Sequence, residues 1–256
     1  MLNYKYQITK NMKLRVLVVL LIASVNLVNA QDEKIDMLMF EPVYNSYSPN
    51  VVSKLILEDG TVVEGFRDDV DRKKGQIYYV KLKDSITGEK KEFNAEQIKE
   101  MYLFPGGFEK FTKSAGYMFD ARRWGSQDLQ SDLIDKGFIF FKKQTVSLKN
   151  KKEERELLMQ LINPKFSSLI EVYGDPMAKK TMGLGIGSFN VAGGLAKSYY
   201  FKKGDNIFWL EKKNLDDYYD DLFGDNAEFI AKYPKKKIKW KMLGEYVFMY
   251  TKMSLK

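Results

Sequence analysis

The chain contains no cysteine and no histidine. Without histidine there is no Ser-His-Asp triad, no imidazole base and no imidazole metal ligand. Without cysteine there is no thiolate nucleophile, no disulfide and no lipid anchor on an N-terminal cysteine. Only three tryptophans are present, few for a sugar-cleaving cleft. The longest apolar run, residues 16–28, is too short to span a membrane, which takes about 20 residues. Neither Ser-x-x-Lys nor Gly-x-Ser-x-Gly occurs. Most catalytic plans are thereby removed, and no cofactor or metal is expected. What survives is carboxylate-pair chemistry, for which 34 acids are available and none is singled out.

What is present begins with an export pattern. Met12-Lys13-Leu14-Arg15 is a short basic region, residues 16–28 are apolar apart from Ser24 and Asn26, and Val28-Asn29-Ala30 is a small-residue cleavage site. Residues 1–30 are therefore expected to be a signal peptide, with Gln31 opening the mature chain. Residues 1–11 are polar and aromatic, so Met12 is the better start for such a signal. The expected location is periplasmic or extracellular, in a Gram-negative bacterium. The formal net charge is +8, but Lys5, Lys10, Lys13 and Arg15 precede the cleavage site without a single acid. Half of the basicity leaves with the signal, so no nucleic-acid partner is expected.

The chain has 256 residues, 45% of them hydrophobic, enough for a sizeable core. Residues 31–50 are acidic, then aromatic and Pro-containing, and read as a lead-in. Residues 51–105 read as a small β-barrel-like unit. Strands are expected over 51–58, 61–70, 76–83, 89–94 and 101–104, with one helical turn at 95–98. Asp59-Gly60 predicts a type I′ hairpin turn, and Gly65 a bulge or bend. Pro105-Gly106-Gly107 breaks the chain. Residues 106–137 are expected to be a helical connector, with helices over 108–124 and 126–136 and Gly137 as the stop. Residues 138–256 are expected to be a mainly antiparallel β domain with C-terminal helices. Strands are placed at 138–148, 155–162, 168–173 and 206–212, and a hairpin pairs 181–191 with 197–202. Helices are placed at 215–223, capped by Asn214 and stopped by Gly224, and at 227–233. Residues 241–251 stay undecided between helix and strand. The fold class is α+β.

Three stretches invite a functional reading. Gly183 to Gly194 is glycine-rich but fits neither phosphate-loop spacing, and reads as a strand bare on one face. Asp216, Asp217, Asp220 and Asp221 miss calcium-loop spacing and read as the acidic start of a helix. The third stretch is the candidate site: Lys232, Lys235, Lys236, Lys237, Lys239 and Lys241, interleaved with Tyr233 and Trp240. Lysines among aromatics suit an anionic surface, glycan or lipid headgroup. Tyr199 to Lys203 would extend this face. The alternative is a solvated strand edge whose lysines discourage pairing with another edge.

The run Leu57-Glu58-Asp59-Gly60-Thr61-Val62-Val63-Glu64-Gly65 resembles the opening strands of SH3-like and Sm-like small barrels, where L-x-D-G-x-x-x-x-G recurs. The RNA-contacting pattern of Sm proteins is not reproduced, because Asp71 is followed by Arg72-Lys73-Lys74-Gly75. The resemblance implies a barrel fold and no RNA function. Four further segments resemble uncharacterised exported proteins of Bacteroidota: residues 157–164, 172–176, 198–204 and 222–225. That resemblance implies a Gram-negative envelope setting and brings no activity. Together these features lead to the expectation of an exported, non-catalytic envelope protein that binds a protein partner or an anionic surface polymer. The alternatives are a carboxylate-based glycan hydrolase and a purely structural accessory protein.

Overall fold

The first hairpin joins β1 (Val52–Leu57) to β2 (Val62–Lys73). Its turn is not type I′, which needs positive φ at two positions. Only Gly60 is left-handed, with φ 84°. Gly60 donates its amide to the Leu57 carbonyl at 3.0 Å, and Leu57 donates to Thr61 at 2.9 Å. The Asp59 carboxylate accepts the Thr61 amide at 2.9 Å, fixing the corner without turning Asp59 left-handed. The two-residue geometry appears one hairpin later. Lys74 (φ 52°) and Gly75 (φ 86°) link the paired Lys73 and Gln76, where β2 turns into β3 (Gln76–Lys83). Gly65 is not a bulge. It pairs in register with Ser53, and the β2–β3 irregularities fall at Arg67/Asp69 and Asp71/Arg72. A Cβ at Gly65 would stand 2.8 Å from the Lys83 carbonyl oxygen, so glycine is there for close approach.

The computed structural model describes residues 40–106, 131–151, 153–178 and 196–255, all within one unit, Met39–Lys256. The expected signal peptide, the connector helix at 108–124 and the glycine-rich 183–194 lie outside the described residues. β4 (Lys90–Asn94), a 3-10 turn (Ala95–Gln97), β5 (Ile98–Leu103), β6 (Ile139–Ser147) and β7 (Glu154–Gln160) complete a seven-stranded antiparallel sheet. Its order is β4-β3-β2-β1-β5-β6-β7. The sheet curls until β3 and β7 approach each other, making a half-barrel. The sheet does not stop at residue 105. The second edge of β5 pairs with β6, placing Met101 opposite Phe141, so strands from both expected β units share one sheet. The lead-in is not peripheral either. Tyr44 and Tyr47 are buried inside the curl, and Gln160 clamps the segment by accepting from Tyr44 N and donating to the Pro42 carbonyl, each at 2.9 Å.

A second sheet has the order β10-β9-β8, from β8 (Glu171–Gly174), β9 (Ser198–Lys203) and β10 (Asn206–Glu211). β9 pairs with β10 along one edge and β8 along the other, and residues 181–191, its expected hairpin partner, lie outside the described residues. The helices are α1 (Ser131–Asp135), stopped by Gly137, then α2 (Leu215–Phe223), α3 (Ala227–Lys232) and α4 (Leu243–Ser254). The open choice at 241–251 thus resolves as helix. Among the described residues no helix is long and apolar enough to cross a membrane.

Strand alternation sorts the core into layers. On β5 and β6, Met101, Leu103, Ile139 and Phe141 fill the curl, while Tyr102 and Phe140 face the other way. That outer set packs against Tyr173, Tyr200 and Trp209 of the small sheet. On β9 the intervening Tyr199 and Phe201 face the helices, meeting Leu222, Phe229 and Val247. The fold is α+β, with the small sheet between half-barrel and helices. At about 2 kcal/mol per fully buried large side chain, these clusters outweigh surface ion pairs of about 0–1 kcal/mol.

Candidate anion-binding groove

The lysine run connects α3 to α4 and contains no strand. α3 ends at Lys232, and Pro234 (φ −63°, ψ 146°) breaks it. A 3-10 turn covers Lys235–Lys237, and a second covers Trp240–Met242 before α4 begins. The turns are closed by Lys237 N to the Pro234 carbonyl at 2.7 Å and Met242 N to the Lys239 carbonyl at 2.9 Å. The strand-edge reading is therefore corrected: turn geometry fans these side chains instead of alternating them.

A groove of about 480 Å³ opens along this connection. Lys232, Lys236, Lys237 and Lys239 form its basic rim, and all four are exposed. Tyr233, Ile238, Met242 and Tyr246 form its apolar wall. The Tyr246 hydroxyl donates to the Met242 sulfur at 3.7 Å, and the rings of Tyr233 and Tyr246 meet edge-to-face at 5.4 Å. Tyr219 in α2 donates its hydroxyl to the Tyr233 carbonyl at 2.6 Å, pinning the wall to the helix layer. The Lys232 ammonium lies 5.4 Å from the Tyr233 ring centroid. Among the described residues, no ion pair engages any of the four rim lysines.

The remaining sequence candidates are placed elsewhere. Lys235 pairs with Asp220 of α2 at 2.9 Å. That hydrogen bond, with the nearby charges of Asp220, Asp216 and Asp217, holds its ammonium above the ordinary lysine range. Trp240 turns inward, donating Nε1 to the Ala196 carbonyl at 3.1 Å and stacking on Tyr199 with centroids 5.4 Å apart. Lys241 is exposed and does not line the groove. The expected extension over Tyr199 to Lys203 is not made. Tyr199, Tyr200 and Phe201 are buried, Lys202 faces Glu171 at 3.9 Å, and Lys203 pairs with Asp225 at 2.8 Å. Met242 and Tyr246 were missed by sequence reasoning. Their four-residue spacing puts them on one helix face, a signal readable only once 241–251 is known to be helical.

A second groove of about 210 Å³ sits where the half-barrel curls towards closure. Glu96 and Glu156 line it on either side of Lys143. The Lys143 ammonium donates to the Glu96 carbonyl and lies 2.7 Å from Glu58 and 3.8 Å from Glu156. Both acids are exposed, whereas the acid of a glycoside-cleaving pair sits in an apolar pocket. This groove is an ion-paired seam between the strand ends. No family model, no curated protein and no solved structure matches the chain.

Proposed function

We propose that the chain is an exported, non-catalytic protein of a Gram-negative envelope that holds an anionic surface component in the groove between α3 and α4. One observation carries this reading: Lys232, Lys236, Lys237 and Lys239 rim a single groove, and none has an acid partner among the described residues. Clustered like charges repel one another, and an anion seated among them relieves that repulsion. In this reading the barrel-like strands β1–β5 are scaffold and carry no RNA site. Export rests on the signal pattern ending at Ala30.

The test is fractionation of native cells, a salt wash of the envelope, and mass spectrometry of the N-terminus. The expected protein starts at Gln31, sediments with the envelope and is released by salt. The double variant Lys236→Gln/Lys237→Gln is expected in the soluble fraction. A freely soluble parent protein, or an unchanged double variant, overturns the binding site. A start at Met1 or Met12 overturns export.

A further inference from the structure

We infer that the ligand of this groove is an anionic amphiphile: a phosphate or carboxylate group on an apolar chain, rather than a bare polyanion or a sugar polymer. This rests on the proposed site and names what occupies it. The rim alone would serve any anion. The wall does not. Tyr233, Ile238 and Met242 line the opening while only partly buried, leaving apolar surface for a ligand to cover.

The lining is also poor in hydrogen-bond acceptors. Among the described residues it contains no Asp, Glu, Asn, Gln, Ser or Thr. Lysine ammoniums only donate, so the lining side chains offer as oxygen acceptors just the hydroxyls of Tyr233 and Tyr246, the latter donating its own proton to the Met242 sulfur. A sugar carries a hydroxyl donor on nearly every carbon and needs acceptors to match, so this wall would leave most such donors unpaired. An alkyl chain makes no such demand. Met242, unbranched and polarizable, moulds itself to a flexible chain. The groove volume of about 480 Å³ falls in the range of small-ligand sites, about 300–1,000 Å³. The ligand thus places its anionic head on the rim at Lys236 and Lys237 and its chain along Ile238, Met242 and Tyr233.

The experiment is a binding titration of the full chain with alkyl phosphates of increasing length, kept below their micelle concentrations. Inorganic phosphate and dextran sulfate are the chain-free comparisons. Affinity is expected to rise about fourfold per added methylene until the wall is covered. Ile238→Gln and Met242→Gln are each expected to flatten that slope, in proteins whose melting is unaltered. Lys236→Gln/Lys237→Gln is expected to weaken both ligands. Flotation with phosphatidylglycerol and phosphatidylcholine vesicles separates the sources: binding to the anionic vesicles assigns the head to a membrane lipid, and binding to the monomers alone assigns it to a free amphiphile. Tight dextran sulfate binding with no chain-length slope overturns this inference and leaves the anion site standing. No binding of any of these anions overturns both.

Discussion

Lys203 of β9 and Asp225, at the corner between α2 and α3, form an ion pair at 2.8 Å that ties the small sheet to the helices. Lys203 also donates to the Leu222 carbonyl at 2.9 Å, and Tyr250 of α4 donates to both oxygens of Asp225, at 2.8 and 3.0 Å. Partial burial disfavours both charges. The hydrogen bonds between Lys203 and Asp225, joined by those of Tyr250, outweigh it, holding the Asp225 carboxyl below its ordinary value and the Lys203 ammonium above its own.

The signs of these shifts set a pH window. Asp225 stabilises the fold above its ordinary value of 3.8, and that contribution fades as pH falls through its lower folded value. Lys203 contributes below 10.5 and ceases to contribute as pH rises through its higher folded value. Because Asp225 is 60% exposed, the pair is screened and is worth about 1 kcal/mol or less. Thermal melts from pH 2 to 6 should show Asp225→Asn losing less stability on acidification than the parent chain. Identical pH profiles would remove the pair from the account.

Gly60 and Gly75 share a left-handed backbone and differ in what surrounds them. A Cβ at Gly60 meets nothing within 4 Å, whereas one at Gly75 would stand 2.0 Å from the Pro176 carbonyl oxygen. Gly60→Ala should therefore cost only the left-handed strain, about 1–2 kcal/mol. Gly75→Ala should cost clearly more, since it also pushes the β2–β3 turn off the loop after β8. Urea denaturation of the two variants compares them directly, and equal midpoint shifts would show that the loop yields.

What is local in this fold was legible before the structure, and what is long-range was not. β3 occupies the expected 76–83 and α2 the expected 215–223, because strand and helix periodicity are written in neighbouring residues. The expected cap is not made: the Asn214 side chain accepts from Glu211 N and caps nothing in α2, and Gly224 ends the helix right-handed, with φ −64°. The pairing of β5 with β6 was not legible: any half-buried edge strand offers β5 an equivalent partner, and the choice is made by Met101 and Phe141 sharing one core. The same divide runs through the site. Its lysines stand out by composition. That Trp240 turns inward depends on Tyr199 and Ala196, far away in sequence, and a tryptophan in a basic run looks the same whichever way it points.

Asp175 is a buried carboxylate that accepts from three donors. It is 6% exposed and accepts from Ser198 Oγ at 2.6 Å, Trp209 Nε1 at 2.9 Å and Met177 N at 2.8 Å. Asp175→Ala should destabilise by about 3 kcal/mol or more, because three donors lose their acceptor. Asp175→Asn should recover part of this. Its remaining oxygen still accepts, the Ser198 hydroxyl can rotate to accept from the new amide, and Trp209 alone keeps a donor without a partner. Calorimetric melts should rank the three proteins parent, Asn, Ala. An Asn variant no more stable than Ala would mean that the charge, and not the hydrogen-bond count, holds the corner.

The lysines of 232–241 look interchangeable in sequence, and the structure separates them. Lys235 is already neutralised by Asp220 at 2.9 Å, while Lys236 and Lys237 stand on the groove with no ion-pair partner among the described residues. Deleting the neutral pair with Lys235→Gln/Asp220→Asn removes no net charge and no rim group. Anionic-ligand affinity should then stay within twofold of the parent, about 0.4 kcal/mol. Lys236→Gln/Lys237→Gln should weaken it about 30-fold at low salt, from about 1 kcal/mol for each lysine near an anionic surface. That gap should narrow as salt is raised, since exposed charges are screened over about 8 Å at physiological ionic strength. Titrations of both double variants at two salt concentrations test this. Equal losses in the two would mean that the run acts through its summed charge alone, and that the groove geometry does not select the ligand.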